Sequence, residues 1–398
     1  MAKALEDIKV LELSHYIAGP MAGQLLADLG ADVYKVEKDG YGKGDIARLY
    51  DPSYKDMSLY FCSYNRNKKF ITLDIKTEKG REIFKELVTK VDVVIDNYRP
   101  GVMDKLGIGY EELSKINPGI IMTEISGFGQ NGPYRDKMAL DMSMQAVSGF
   151  MDFTGFPDGA PTKGGPVLSD FIAGIYASYA TTAAIYHKEK TGKGQHIDIA
   201  LLDCMFTLLE NFPSIYYMSG EVPKRSGNGR PFSAPTGTYK TKDDRWVHLS
   251  ATSESLFERL AKVIDREDLI GDPRMASAAV RKKNESAIEP PIIEWVASKT
   301  LDEVVDVLEK SGIPNGPVRT IEEVIKDPQL KYRNMLVSFP DSITENLPFI
   351  ANPVKMSETP VVYNNAAKEQ GSDNMEVYNQ LLGYSEEHIR KLIEEKII

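Results

Sequence analysis

The sequence predicts an α/β protein, with a doubly wound, Rossmann-like large domain and a smaller α+β domain. Three observations predict it. Short apolar strands alternate with helix-length segments from Ile8 to Ile125, the mark of parallel βαβ units. One complete βαβ unit closes by Glu37. After about Tyr217 the alternation gives way to a hairpin and then successive helices, the mark of a separate α+β unit.

Ile8–Leu13 is an apolar run and reads as a buried strand. The loop Ser14-His15-Tyr16-Ile17-Ala18-Gly19-Pro20 follows, then a helix over Met21–Leu29. Pro20 suits its first turn and Gly30 its end. Val33–Glu37 is the second strand. A crossover helix between two strands implies a parallel sheet. Phe70–Leu73 is a strand. Thr77–Lys90 is a helix whose apolar face carries Ile83, Phe84, Leu87 and Val88. Val91–Asp96 and Ile120–Ile125 are further strands. A small-residue helix runs from Phe171 to about Tyr186. Gly227-Asn228-Gly229-Arg230-Pro231 is turn chemistry. Thr238–Lys240 and Trp246–Leu249 read as a hairpin around Lys242-Asp243-Asp244-Arg245, and helices follow at Ser253–Ile264, Ala276–Ser298 and Leu301–Ser311. Pro340, Pro348, Pro353 and Pro360 mark an extended crossing segment, and Glu386–Ile397 is a last amphipathic helix. The expected organisation is a large domain over 1–220, a small α+β domain over 225–320 and a C-terminal segment over 321–398.

The chain of 398 residues has 58 acidic and 48 basic side chains, for a net charge of −10. That balance argues against nucleic-acid binding, so a polyanionic ligand must meet a local basic patch. The expectation is a cytoplasmic protein. Met1–Asp7 has no signal-peptide core, and no apolar run spans a bilayer. Cys62 and Cys204 lie far apart without a CxxC, which suits a reducing compartment and argues against structural zinc.

Asp170 is the most informative residue. It closes Gly164-Gly165-Pro166-Val167-Leu168-Ser169 and opens the small-residue helix, with Gly174 one turn in. The reading is a carboxylate at a strand-to-helix corner, where helix dipole and N–H groups favour the ionised form. Such a carboxylate can be a nucleophile. The plainer reading is an N-cap. Glu37 ends the second strand as a ribose-binding acid would, yet Gly19-Pro20-Met21-Ala22-Gly23 fails the G-x-G-x-x-G fingerprint. A nicotinamide dehydrogenase is thereby disfavoured. Gly40-Tyr41-Gly42-Lys43-Gly44-Asp45 lacks the Lys-Ser/Thr pair of a P-loop and reads as an ordinary loop. Asn97-Tyr98-Arg99-Pro100-Gly101 ends a strand where α/β sheets hold ligands, with Arg99 and Lys105 able to meet phosphates. Ser126-Gly127-Phe128-Gly129-Gln130-Asn131-Gly132-Pro133 ends the next.

Taken together, Leu11–Gly23, Asn65–Lys76, Asp96–Gly107, Ser126–Pro133, Asp141–Gly155, Pro166–Gly174 and Thr191–Asp203 resemble the family III CoA-transferases of the CaiB/BaiF type. This group includes the formyl-CoA:oxalate and crotonobetainyl/carnitine enzymes. The likeness continues through Gly312–Pro317 to the C-terminus. The resemblance implies ring-like subunits threaded through each other as an interlocked homodimer, with the tail returning to the large domain. It puts the catalytic aspartate on Asp170. It puts coenzyme A, bound as the acyl-CoA co-substrate, on His15, Tyr16, Ile17 and Ala18, and on Lys38, Leu73, Lys76, Asn97, Tyr98, Arg99, Lys105 and Leu106. No metal and no redox nucleotide is implied, and the other partner is a small carboxylic acid.

The chemistry so implied is transfer of CoA between carboxylic acids through covalent Asp170. Glycine N–H groups would stabilise the oxyanions, with Gly127, Gly129, Gly227 and Gly229 as candidates. A racemase of the same fold is the first alternative. It needs a His where Leu140 stands, before Asp141, and leucine transfers no proton. Asp141 then either orients substrate or caps the helix Met142–Gly149. A non-catalytic acyl-CoA-binding protein is the second alternative, and retention of Asp170 argues against it. The wording Phe153-Thr154-Gly155-Phe156-Pro157-Asp158-Gly159 leans towards the oxalate-type branch.

Overall fold

The computed structural model describes residues 2–40, 43–340 and 342–398. Tyr41 and Gly42, in the loop compared with a P-loop, lie outside the described residues.

Six parallel strands form the main sheet: β1 (Lys9–Leu13), β2 (Asp32–Glu37), β3 (Lys68–Thr72), β4 (Val93–Asp96), β5 (Ile121–Ser126) and β6 (His196–Ala200). Their order is β3-β2-β1-β4-β5-β6, each pair parallel. This is the doubly wound order, in which the winding reverses between β1 and β4. The inner strands are buried on both faces, which is why they read as unbroken apolar runs. The strand β6 was not among the expected strands. It is an edge strand in which buried and exposed positions alternate, so His196 and Asp198 interrupt its apolar signal.

Five helices matter for the site: α1 (Ala18–Asp28), α2 (Leu59–Ser63), α3 (Glu78–Val88), α4 (Asp141–Val147) and α5 (Leu168–Thr191). The helix α1 starts three residues earlier than expected and takes Pro20 into its first turn, where no N–H partner is lost. Thr77 caps α3, its Oγ1 accepting the Gly80 N–H at 3.0 Å. The helix α5 is longer at both ends than its apolar stretch suggested, and stops at Gly192 with φ of 71°.

Two compact units are present. The first comprises Met1–Ser148, Gly165–Leu208 and Gln329–Ile398. Its core lies between the sheet and α3, and the C-terminal helices Asn374–Leu382 and Glu386–Glu394 add Val377, Tyr378, Ile389 and Leu392 to it. The tail is stitched to edge strand β3: Phe70 N–H donates to Asp373 at 2.8 Å, and Tyr378 Oη to the Thr72 carbonyl at 2.7 Å. A buried Asp28–Arg66 pair adds a second tie. Arg66 donates to both Asp28 oxygens at 2.9 and 2.7 Å and to the Ile350 carbonyl at 2.8 Å.

The second unit comprises Gly149–Gly164 and Leu209–Pro328. It holds an antiparallel sheet of Thr236–Lys240, Trp246–Ser250 and Asn315–Pro317, with its own apolar core. The single helix expected over Ala276–Ser298 is two helices, Ala278–Lys283 and Glu285–Ala297, broken at Asn284. Asn284 Nδ2 turns back onto the Val280 carbonyl at 2.9 Å and ends the first helix. Arg281 is wholly buried here, donating to the Ala234, Met275 and Thr252 carbonyls.

Arg66→Met leaves Asp28 as a buried, uncompensated charge. It is expected to cost about 3–5 kcal/mol in urea unfolding. Adding Asp28→Asn is expected to recover part of the loss.

Candidate active site

The crevice at the winding reversal lies outside the carboxyl ends of β1 and β4. The two loops that leave those ends are bolted together there. His15 N–H donates to Asn97 Oδ1 at 2.8 Å, and Asn97 Nδ2 donates to the His15 carbonyl at 2.7 Å. The His15 and Tyr98 rings meet at 5.4 Å. Burial holds the imidazole below its usual range, with Asp45 opposing the effect. Tyr16 adopts the left-handed region, φ 63°, and its N–H donates to Asp45 Oδ1 at 3.0 Å. Ile17 and Ala18 are buried, so they present backbone rather than side chain.

The second group of predicted residues sits on the loops after β2 and β3. Lys38 pairs with Asp74 at 2.6 Å, and Asp74 also accepts the Lys76 N–H at 3.1 Å. Lys76 itself is exposed. Leu73 is buried in the core and reaches this loop through its N–H, which donates to the Glu37 carbonyl at 2.7 Å. Arg99 and Lys105 are exposed around the turn after β4, and half-buried Leu106 packs on the core. No bond links Lys38, Lys76, Arg99 or Lys105 to Asp170 among the described residues.

Asp170 lies in the first turn of α5, whose N-cap is Val167, after a loop rather than a strand. The corner reading and the N-cap reading are both corrected by this. The anchor is Asp141, at the start of α4. Its Oδ1 accepts the Ser169 N–H at 2.8 Å and the Ser169 hydroxyl at 2.9 Å; its Oδ2 accepts Gln145 Nε2 at 2.8 Å. Burial and then the Asp141 charge push the Asp170 carboxyl up to about 7. The expectation that the helix terminus favours the ionised form is therefore overturned. Removal from water and a like charge outweigh the dipole.

Two features bring Asp170 to the β1 loop. The first is Gly174. A Cβ there would lie 3.0 Å from the Ala18 carbonyl oxygen and 3.0 Å from Met21 Cβ. Any larger residue would press on α1 here, so glycine lets α5 sit close to it one turn below Asp170. The second is a run of rings, Tyr16–Tyr50–Tyr60–Tyr64–Phe171, with successive centroids 5.9, 5.4, 5.7 and 5.8 Å apart. Burial, with a contribution from the Asp170 charge, raises the Tyr60 and Tyr64 hydroxyls above their usual range. Both stay protonated and able to donate.

Three of the four glycines considered for oxyanion binding already use their N–H groups. Gly129 donates to Ser126 Oγ at 3.1 Å, Gly227 to the Gly155 carbonyl at 3.0 Å and Gly229 to the Ser226 carbonyl at 3.1 Å. Gly127 is fixed by sterics, since a Cβ would fall 2.0 Å from Ala139 Cβ.

The model of CoA-transferase family III matches residues 5–374. The chain belongs to CoA-transferase family III. It is an enzyme that transfers CoA. Among its relatives, succinyl-CoA–D-citramalate CoA-transferase of Chloroflexus aurantiacus is 35% identical over 397 residues, spanning 100% of this chain and 98% of the relative. Acetyl-CoA:oxalate CoA-transferase of Acetobacter aceti is 39% identical over 353 residues, 88% of this chain and 89% of the relative. The crystal structure of a CaiB/BaiF family protein from Brucella suis matches with a TM-score of 0.84 at 35% identity, covering 96% of this chain and 100% of that one.

Sequence reasoning missed Tyr50, Tyr60 and Tyr64, and the roles of Asp45 and Asp141. Tyr60 and Tyr64 are four apart on and just past α2, a spacing that puts them on one face. That signal was readable. The Asp141–Ser169 bond spans 28 residues and has no local signature.

The raised Asp170 carboxyl carries a stability consequence. The unfolded carboxyl titrates near 4, so stability falls as pH rises from about 4 to about 7. Asp170→Asn is expected to melt above the wild type at about pH 8, with the difference closing towards about pH 4. Equal melting temperatures at about pH 8 would show that the carboxyl carries no such burden.

Proposed function

We propose that this enzyme is an acyl-CoA:carboxylate CoA-transferase that works through covalent Asp170, with a small dicarboxylic acid as acceptor. The observation that carries the reading is the setting of Asp170: its neighbour Ser169 is anchored by Asp141, its charge acts on the protonated Tyr60 and Tyr64, and Gly174, one turn on, meets the start of α1. The relatives named above act on D-citramalate and on oxalate, both dicarboxylates, with succinyl and acetyl donors.

In the proposed cycle, Asp170 attacks as its carboxylate. Its oxygen adds to the donor thioester carbonyl, the C–S bond breaks, and a mixed anhydride and CoA thiolate result. The thiolate then attacks the aspartyl carbonyl. The donor acid departs with one oxygen from Asp170, leaving an aspartyl-CoA thioester. The acceptor carboxylate attacks this thioester, expelling thiolate and forming a second anhydride. Thiolate attack on the acceptor carbonyl releases the new acyl-CoA and regenerates Asp170. Each step conserves an activated acyl bond, so the cycle is close to thermoneutral. In this cycle the Tyr60 and Tyr64 hydroxyls would donate to the oxyanions. A carboxyl raised to about 7 is a stronger nucleophile once ionised, and gains most from having its charge dispersed.

Coenzyme A is proposed to lie on His15–Ala18 and Asn97–Arg99 in the crevice, with Leu73 and Leu106 beside it. Lys38, Lys76, Arg99 and Lys105 would meet its phosphates, Lys38 giving up Asp74 in exchange. The proposed assembly is an interlocked homodimer. Met138, Leu140, Met142, Tyr179, Tyr186 and Phe206 are large apolar side chains left exposed on or beside α4, α5 and the following helix, as a surface awaiting a second copy would be. A cytoplasmic setting is proposed because Cys62 and Cys204 are both free and buried. Among the described residues no helix is long and apolar enough to cross a membrane.

Asp170→Ala is expected to lower exchange roughly 10³-fold or more. Intact-mass analysis after mixing with succinyl-CoA or acetyl-CoA is expected to give a hydroxylamine-sensitive adduct on Asp170 that this variant lacks. Absence of any adduct, with α-proton exchange in deuterated water instead, would replace the transferase reading with racemase chemistry. For the wild type, kcat/KM is expected to rise with pH and level off above about 7, as Asp170 ionises.

A further inference from the structure

Beneath the β1 loop lie four charged side chains with no solvent exposure: Glu12, Lys35, Asp45 and Lys68. Lys35 Nζ reaches Glu12 at 3.1 Å, Asp45 at 2.9 Å and the Ser14 carbonyl at 2.8 Å. Those three acceptors use all its donors. Lys68 Nζ reaches Glu12 at 2.7 Å and the Pro20 and Tyr64 carbonyls at 2.8 and 3.0 Å. The charges cancel. Such a cluster is a poor stabiliser, because apolar residues of equal volume commonly do as well. Its outward bonds are more telling. They run to Ser14 and the Tyr16 N–H in the β1 loop, to Pro20 in the first turn of α1, to the Ala47 N–H, and to Tyr64 and Asn65.

The loop needs holding. A tyrosine at φ 63° is strained unless its surroundings enforce it. Asp45 Oδ1 does so from below through the Tyr16 N–H, while Oδ2 stays on Lys35. Two glycines of α1 make room for the arrangement. A Cβ on Gly23 would lie 1.9 Å from Glu12 Oε2, and one on Gly19 would lie 2.3 Å from Ser14 Cβ. The helix forgoes about 1 kcal/mol of propensity at each to seat the charges against the loop.

We propose that Asp45, clamped by Lys35 in this buried cluster, is a positioning residue for coenzyme A: it fixes the left-handed Tyr16 and so shapes the loop that takes the coenzyme. The inference rests on the reading of His15–Ala18 as the coenzyme loop.

The test titrates free coenzyme A into full-length wild type and Asp45→Asn by calorimetry. Asp45→Asn is expected to weaken binding about tenfold to a hundredfold, the range for losing a charge-assisted hydrogen bond. In turnover, Asp45→Asn is expected to raise KM for acyl-CoA and leave KM for the acid alone, a split that general destabilisation does not give. Unchanged affinity in Asp45→Asn would overturn the positioning role with the coenzyme loop intact. Failure of the wild type to bind would overturn the loop reading itself, and this role with it. Amide exchange in the wild type decides the matter if Asp45→Asn does not fold. Slow exchange at Tyr16, whose side chain is exposed, supports the clamp, and exchange at the rate of an open loop overturns it.

Discussion

The pair of hydrogen bonds that Ser169 gives to Asp141 is the constraint on which the site depends. It fixes the first turn of α5, and therefore the direction of Asp170. It also brings a second carboxylate close enough to disfavour ionisation of the first. One buried acid thus serves two ends. It positions the candidate nucleophile and raises its proton affinity, at a cost in stability that appears only when the pH is high enough to ionise Asp170. Sites that hold a charged group out of water commonly trade stability for reactivity in this way.

Around that point the fold supplies position by close approach of backbone. Reversal of winding between β1 and β4 opens the crevice, and the His15–Asn97 bonds fix its lip. Gly174 lets α5 settle on the first turn of α1, one turn along from Asp170. The tyrosine run links Tyr16 to Phe171 by successive ring contacts. Exposed Lys76, on the loop after β3, and exposed Arg99 and Lys105, on the turn and short helix after β4, put positive charge at the carboxyl side of the sheet of a net-negative chain.

Much of this was legible in the sequence, for physical reasons that differ by element. Buried parallel strands advertise themselves as apolar runs, so β1, β2 and β4 were found almost to the residue. The edge strand β6 was not, because half of it faces water. The helix over Ala276–Ser298 was drawn unbroken because its apolar period continues past Asn284, and only a side-chain bond to Val280 reveals the stop. At the site, Asp170 stood out by its neighbours Gly164, Gly165 and Gly174. Its protonation was misjudged. Dipole and N–H groups can be read from one helix, whereas burial and the Asp141 charge come from chain far away in sequence. The same holds for Asp45, which looks like a plain 3₁₀-helix cap on Ile46–Leu49 until its contacts with Lys35 and Tyr16 are seen.

The most direct measurement follows oxygen. If Asp170 carries each acyl group as an anhydride, an acceptor acid labelled with ¹⁸O in its carboxylate leaves one labelled oxygen on the aspartate when thiolate takes the acyl group. A later turn of the cycle passes that oxygen to the released donor acid. Peptide mass spectrometry after turnover with labelled oxalate or succinate is therefore expected to show about 2 Da added to the peptide containing Asp170, and label in the donor acid. Turnover that leaves both unlabelled would contradict the covalent route through Asp170.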